Sequence, residues 1–278
     1  MIQGAINTME RSKGAAYVRF GMRKGRVALA DLAQSGSARA ILPRSSSDRS
    51  EVVFLNTSGG LTSGDRLSFA LALDDGASVV GTTQTAERAY LCREGAAHVQ
   101  ANFTVGGGGR LDWLPQETIL FEDCFLERNT RIDLAAGASC LLCETVVLGR
   151  RAMGETPVRP RLRDKRMVTL SGRPLWADCQ TLDAKVLSNA DQPAMLGGNC
   201  AFGVLALLGA GAEAAVDAIR ALPITQGVTA AASGWNGRTV VRIMAPDVWP
   251  LKQYLGQLIA RMTNRPLPRV WQMQGITA

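Results

Sequence analysis

The alternation of apolar and polar positions in the first two thirds of the chain predicts β-strands. Residues 67–73 carry an apolar residue at every second position, which is typical of a strand with one buried face. Asp74, Asp75 and Gly76 then form a predicted tight turn into a second strand over residues 78–90, which is rich in Val and Thr. A glycine-rich turn at residues 56–66 precedes both strands, so this stretch reads as turn, strand, tight turn and strand.

A similar unit occurs three times along the chain. Each copy has a glycine, a short strand, and then a polar residue beside Thr before another strand, and the copies begin at Gly76, Gly109 and Gly137. Outer strands are predicted between them, at residues 97–105 and 130–134. Intervals of 33 and 28 residues are irregular but lie in the range of stacked β coils. The pattern predicts a mainly β, β-helix-like body of stacked strands, although periodicity alone equally allows a β-sandwich.

The C-terminal part of the chain has a mixed pattern. Residues 212–222 and 247–264 have helical composition or periodicity, and Asp247 is placed to cap the second helix. Asn236-Gly237 lies between two short apolar runs and predicts a hairpin. We therefore expect a β-rich body over residues 1–200, with a small α/β portion over residues 201–278 packed on it.

Composition narrows the class of protein. The chain has 278 residues and is 46% hydrophobic, which is enough for a sizeable core. No apolar run approaches the roughly 20 residues of a membrane span, and the N-terminus shows no secretory signal. We therefore expect a cytoplasmic location with no membrane partner, and six reduced cysteines.

Positive charge is concentrated in one segment. The net charge is +7, and residues 150–173 contain eight basic and two acidic residues. This segment has no aromatic residue, which disfavours nucleic acid as a partner. It is either a solvated loop or a docking surface for an acidic protein, with Arg161, Arg163 and Arg166 as the candidate contacts. After the last predicted helix, Trp271 is a candidate aromatic anchor for a partner.

Acidic residues inside apolar strands are the candidate functional residues. Buried carboxylates are costly unless they are paired or face water, so these residues either form ion pairs or line a water-filled path for a divalent cation. The chain has a single histidine, His98, which argues against a tight transition-metal site or a His-based catalytic unit. Our candidates for a transient metal path are Asp65, Glu144 and Asp178.

Several motifs together resemble one known family. They are Asn-Thr-Ser-Gly-Gly-Leu-Thr-Ser-Gly-Asp-Arg-Leu at 56–67, Thr-Thr-Gln at 82–84, Trp-Leu-Pro-Gln-Glu-Thr-Ile at 113–119, and Leu-Gly-Arg at 148–150. In order and spacing, from about residue 15 to the C-terminus, this set is similar to the UreD family of urease accessory proteins, called UreH in some organisms. Asp65 matches the acidic position of the family's Gly-Gly…Gly-Asp-Arg motif.

The resemblance implies a fold and a function. It implies a large β-helical body that carries a small helix-containing portion. It implies a nickel-delivery chaperone for urease rather than an enzyme, with no tightly bound cofactor and only transient Ni²⁺. It also implies that the chain binds apo-urease and the accessory protein UreF, and that UreF recruits the GTPase UreG.

Two other functional classes stay open on the residues alone. A glycan-acting β-helix enzyme would use paired carboxylates, and exposed aromatic residues that stack on sugars would favour it. A purely structural protein-interaction module would have no ion path, and equilibrium dialysis with Ni²⁺ would distinguish it from a conduit.

Overall fold

The computed structural model describes residues 11–43, 50–273 and 275–276. Within those ranges the chain forms seventeen strands and four α-helices. The strands are β1 (Lys13–Arg23), β2 (Arg26–Gly36), β3 (Ala38–Ile41), β4 (Ser50–Asn56), β5 (Arg66–Leu73), β6 (Ser78–Thr83), β7 (Glu87–Ala89), β8 (Ala97–Val105), β9 (Arg110–Leu114), β10 (Thr118–Leu120), β11 (Phe125–Leu134), β12 (Ser139–Leu148), β13 (Arg161–Leu170), β14 (Arg173–Leu182), β15 (Ala201–Gly209), β16 (Thr229–Trp235) and β17 (Arg238–Ala245). The helices are α1 (Ala184–Leu187), α2 (Val216–Arg220), α3 (Val248–Thr263) and α4 (Arg269–Gln272).

The strands form two facing sheets. The first sheet has the order β14-β13-β11-β8-β5-β1-β2, and its middle strands run parallel. The second has the order β16-β17-β15-β12-β9-β6-β4-β3, with β10 pairing β12 and β7 at its side. The main hydrophobic core lies between the two sheets.

The middle of the chain passes from the first sheet to the second in three successive coils: β5 to β6, β8 to β9, and β11 to β12. The turns between them stack on one another, because Gly76 N donates to Gly107 O at 2.9 Å and Gly108 N donates to Ala136 O at 3.1 Å. This arrangement confirms the predicted β-helix-like body. The prediction that residues 67–73 form a strand with one buried face is confirmed, since Leu67, Phe69, Leu71 and Leu73 of β5 face the core.

The C-terminal elements continue the second sheet. Strand β15 pairs with β12, and the β16–β17 hairpin turns at Asn236 and Gly237 as predicted, both with positive φ. Helix α3 begins after Asp247, whose side chain accepts from Trp249 N at 2.9 Å, and covers the outer face of this sheet to form a second core. The division at residue 200 stays a prediction.

Several predicted boundaries were wrong. The polar and basic sequence of residues 35–49 predicts a loop, but β2 extends to Gly36 and β3 follows it; residues 44–49 lie outside the described ranges. Much of the basic segment forms β13 and the start of β14 rather than a loop. The helix expected at residues 212–222 is a 3-10 turn followed by the short α2. Within the described chain, no helix combines the length and hydropathy needed to cross a membrane.

Candidate functional site

A cluster of charged side chains lies between the two sheets, where an apolar core would be expected. Arg166 of β13 is at its centre and is 2% exposed. Its Nε donates to Glu144 Oε2 at 2.6 Å, its Nη1 donates to Asp178 Oδ2 at 2.9 Å, and its Nη2 contacts Asp164. One guanidinium therefore joins carboxylates from three strands: β12, β13 and β14.

A second arginine completes the cluster. Arg128 of β11 makes a two-bond contact with Asp164, Nε to Oδ1 at 2.9 Å and Nη2 to Oδ2 at 2.6 Å. Its Nη1 donates to Thr118 Oγ1 at 3.1 Å, and Nη2 lies 3.5 Å from Glu144. Thr130 Oγ1 donates to the other oxygen of Glu144 at 2.6 Å. Every carboxylate in the cluster thus has at least one arginine partner.

The strand register explains why these residues meet. On the inner face of the first sheet, Thr130, Arg166 and Asp178 lie in one cross-strand row, and Arg128 and Asp164 lie in the next. Glu144 faces them from β12 of the second sheet, so the contacts of Glu144 with Arg128 and Arg166 join the two sheets.

The opposite charges of the cluster stabilise the ionised forms of Asp164 and Arg128. Burial alone would raise the pKa of Asp164, but Arg128 and then Arg166 outweigh it, so the pKa of Asp164 is lowered. Burial alone would lower the pKa of Arg128, but Asp164 and Glu144 hold it above its ordinary value. At the rim, Asp178 Oδ1 accepts from Arg242 Nη2 at 2.5 Å, and Arg242 is half exposed.

A cavity of about 90 Å³, lined by both apolar and polar side chains, reaches the cluster from the surface. Its lining begins at the exposed residues Gln84 and Thr85, passes the partly buried Glu87, and ends at Arg128 and Glu144. That volume can hold about three water molecules at roughly 30 Å³ each. The cavity therefore leaves room for water between the surface and a buried carboxylate.

Glu87 is a weakly satisfied carboxylate in this cavity. Asn56 Nδ2 lies 3.4 and 3.3 Å from its two oxygens, and Arg88 N donates at 3.1 Å. Burial raises the pKa of Glu87 to about 7, partly offset by the hydrogen bonds from Arg88 and Asn56. Asp65 is close enough to contribute a small further rise.

Two buried donors on the cavity lining have no protein acceptor among the described residues: Trp113 Nε1 and Gln116 Nε2. Both residues are 3% exposed. A buried donor without an acceptor costs free energy, and water in the cavity would satisfy it.

The three predicted metal residues do not form one cage. Glu144 and Asp178 are joined only through Arg166, whereas Asp65 caps the glycine-rich turn: its oxygens accept from Ser12 N at 2.7 Å and Thr62 N at 2.8 Å. In the described ranges, no three His, Cys, Asp or Glu side chains are grouped to hold a metal ion. The site therefore has carboxylates along a route, without a closed coordination shell.

Two of the predicted partner contacts are not on the surface. Arg166 points inward, because it shares the inner face of β13 with Leu162 and Val168. Trp271 of α4 is 1% exposed in the second core, and its Nε1 donates to Leu114 O at 3.0 Å. Neither side chain is accessible to a partner in this structure. Arg161 and Arg163 are exposed as expected.

Arg128, Asp164 and Glu87 belong to the site but were not among the predicted site residues. The sequence did indicate that Asp164 faces inward, because it alternates in β13 with the same spacing as the apolar residues Leu162 and Val168. The signal for Glu87 was an acidic residue within the strand predicted over residues 78–90, which in the structure is divided into β6 and β7.

Comparison with known proteins identifies the family. The family model described as "UreD urease accessory protein" matches residues 12–272. A protein named "Urease accessory protein UreD" from Cereibacter sphaeroides is 52% identical over 264 residues, covering 95% of this chain and 96% of that protein. Proteins of the same name from Paracoccus denitrificans (48% identical; 95% and 94% covered) and Rhizobium leguminosarum bv. trifolii (37%; 98% and 100%) also match. The chain belongs to the UreD family of urease accessory proteins.

Proposed function

We propose that this chain is a non-enzymatic scaffold that passes Ni²⁺ to apo-urease during maturation. The observation that carries the proposal is the cavity whose lining includes Glu87 near the surface and the buried Glu144. Membership of the UreD family and the name of its relatives, urease accessory proteins, support a role in maturation rather than catalysis.

The carboxylate ligands on the cavity lining suit the passage of a Ni²⁺ ion better than its tight retention. Carboxylates with retained water hold a divalent ion through few ligands, whereas imidazole and thiolate ligands hold nickel more tightly. The positive charges of Arg128 and Arg166 beside Glu144 would weaken retention further, since they compete with a cation for the same oxygens. The ion is cargo here, and no resident cofactor is needed.

The predicted metal residues take different parts in this proposal. Glu144 is the inner carboxylate of the cavity, and Glu87 is the outer one. Asp178 lies beyond Arg166 and would continue the route toward the rim at Arg242. Asp65 supports the turn close to Glu87 and would act on an ion by its charge alone.

The partner assignments remain part of the same proposal. We place the chain in the cytoplasm between apo-urease and UreF, with UreG reached through UreF, and assign Arg161 and Arg163 to contacts with a partner. The resemblance in the glycine-rich turn and the family assignment support these partners.

A second candidate is a structural interaction module with no ion path. The observation that favours it is that each carboxylate of the buried cluster already has an arginine partner. In that case the cluster only joins the two sheets.

Glu87→Gln tests the conduit against the module. Its side-chain contacts to Asn56 are long, so the substitution should keep the fold and partner binding while removing the outer charge. We expect less nickel in co-expressed urease, and weaker Ni²⁺ binding in equilibrium dialysis, for Glu87→Gln. The matched control Glu94→Gln changes an exposed carboxylate outside the cavity and should behave as wild type. Equal nickel loading by both variants would favour the structural module.

A further inference from the structure

The outer face of the first sheet carries an excess of positive charge in two groups. Lys13 and Arg66 form the first group, on β1 and β5, and Arg161, Arg163 and Lys165 form the second, on β13. All five side chains are exposed. We call these five residues the basic face.

The strand register aligns the two groups. Lys13 is opposite Arg66, and the same row continues through His98 and Glu127 to Arg163. Three strand intervals separate β5 from β13, which at about 4.8 Å each places the two groups about 14 Å apart. Residues distant in sequence thus form one surface, and the basic segment supplies only one of its two groups.

The acidic side chains on this face leave most of that charge uncompensated. Glu127 lies 3.0 Å from Arg163 and 3.4 Å from His98, so it is shared within the row. Asp133 is paired with Arg131 outside the basic face. Within the described ranges, Lys13, Arg66 and Lys165 have no acidic partner.

The positions beside the first group are small. Ala15, Ser68, Ala70 and Ala72 face outward on β1 and β5, so no large side chain projects from these positions. Arg161 is held against the Phe125 ring at 4.3 Å, which fixes part of the second group. A surface with small side chains beside the first group and uncompensated cations in both groups is complementary to a protein segment with acidic side chains at two places.

We propose that the basic face docks an acidic segment of a protein partner, with carboxylates reaching both groups across the gap of about 14 Å. The proposal rests on the scaffold role proposed above, which requires partners, but it does not depend on the nickel route. A protein segment is favoured over nucleic acid because Tyr17 and Phe125 on this face are half-buried, and Arg161 and Arg163 already lie over the Phe125 ring, so it is not free for bases to stack on.

Charge reversal at three residues drawn from both groups of the basic face is the sharpest test. The variant Lys13→Glu/Arg66→Glu/Lys165→Glu is compared with Arg220→Glu/Arg261→Glu/Arg265→Glu, which changes net charge equally at exposed positions elsewhere. The probes are purified apo-urease, purified UreF and a DNA duplex, each titrated with the full chain over a salt series. Thermal melting of both variants checks that they fold, and the corresponding Gln variants provide a milder change.

We expect the basic-face variant to lose on the order of tenfold or more in affinity for one protein probe, with a shallower salt dependence. The control variant should bind as wild type, and the Gln variant should show a smaller loss. Equal losses in both Glu variants, or no loss in either, would overturn the proposal. So would tighter binding of the duplex than of either protein, removed by the basic-face substitutions. If the wild-type chain bound neither protein, the scaffold role itself would be contradicted. If the basic-face variant bound as wild type, only the docking proposal would be contradicted.

Discussion

Arg166 illustrates how a buried charge can be tolerated in a β-sheet core. Its guanidinium lies among Glu144, Asp164 and Asp178, so its donors are used by ionisable partners rather than by water. Such clusters often add little net stability compared with an apolar core, because desolvation offsets the Coulombic attraction. Removing one member is different, because it leaves the remaining charges buried without compensation.

We therefore predict that Arg166→Met lowers the free energy of unfolding by roughly 3–5 kcal/mol. The matched control is Arg163→Met on the same strand, whose exposed pair with Glu127 should contribute less than about 1 kcal/mol. Urea unfolding followed by fluorescence measures both. Equal costs at the two positions would contradict the central role of Arg166.

Glu87 gives a pH prediction. Its pKa in the folded protein is about 7, above the ordinary value of 4.5, so the folded state binds the proton more tightly than the unfolded state. Stability from this group is therefore fully present below about pH 4.5, falls as the pH rises toward 7, and is constant above 7. Glu87→Gln should remove this falling limb. The stability difference between variant and wild type should be small near pH 4.5 and greatest above pH 7, as measured by urea unfolding across that range. A difference that does not change with pH would contradict the raised pKa.

At the scale of single elements, β13 shows what the sequence could and could not reveal. Its alternation was readable: Leu162 and Val168 share one parity with Asp164 and Arg166, while Arg161, Arg163 and Lys165 have the other. The high density of basic residues in this segment obscured the alternation, and it made a solvated loop a reasonable interpretation. The partners of Arg166 could not be predicted, because they depend on which strands lie beside and opposite β13.

Helix α4 is the other element whose environment was mispredicted. Its four residues have too little periodicity to indicate a buried face, yet Trp271 fills the second core beside Leu267 and hydrogen-bonds to Leu114 O. We predict that Trp271→Ala lowers the free energy of unfolding by roughly 3–5 kcal/mol, as expected for a fully buried large side chain. Trp249→Ala is the control, since Trp249 is 46% exposed and should cost much less. Loss of partner binding by Trp271→Ala without loss of stability would restore its role as a surface anchor.

At the scale of the whole molecule, the local sequence pattern and the family resemblance predicted different features of the fold. The resemblance implied the β-helical body, and the pattern predicted its strands and turns. Alternation and the three glycine turns predicted coils of strands, but they did not distinguish a β-helix-like stack from a sandwich. The parallel pairing of β5, β8 and β11 decides that question, and it is a contact between residues about 30 positions apart. The cavity was beyond prediction for the same reason: its lining comes from both sheets, and its ends are defined by Glu87 and Glu144.

The continuous second sheet gives the last prediction. Strand β15 pairs with β12 along nearly its whole length, and the outer face of β12 contributes Leu141 and Cys143 to the core beneath α3. A chain ending at residue 200 would expose this face and leave the edge of β12 unpaired, which favours aggregation. We therefore expect the intact chain to unfold in one transition and the fragment 1–200 to be insoluble or unfolded. Fluorine NMR of 5-fluorotryptophan-labelled protein in a urea series can follow Trp113 in the main core and Trp271 in the second core separately. Coincident loss of the two native signals is the expected result, because neither core can keep β12 folded without the other. Two separate midpoints, together with a folded 1–200 fragment, would instead establish the body as an independent domain.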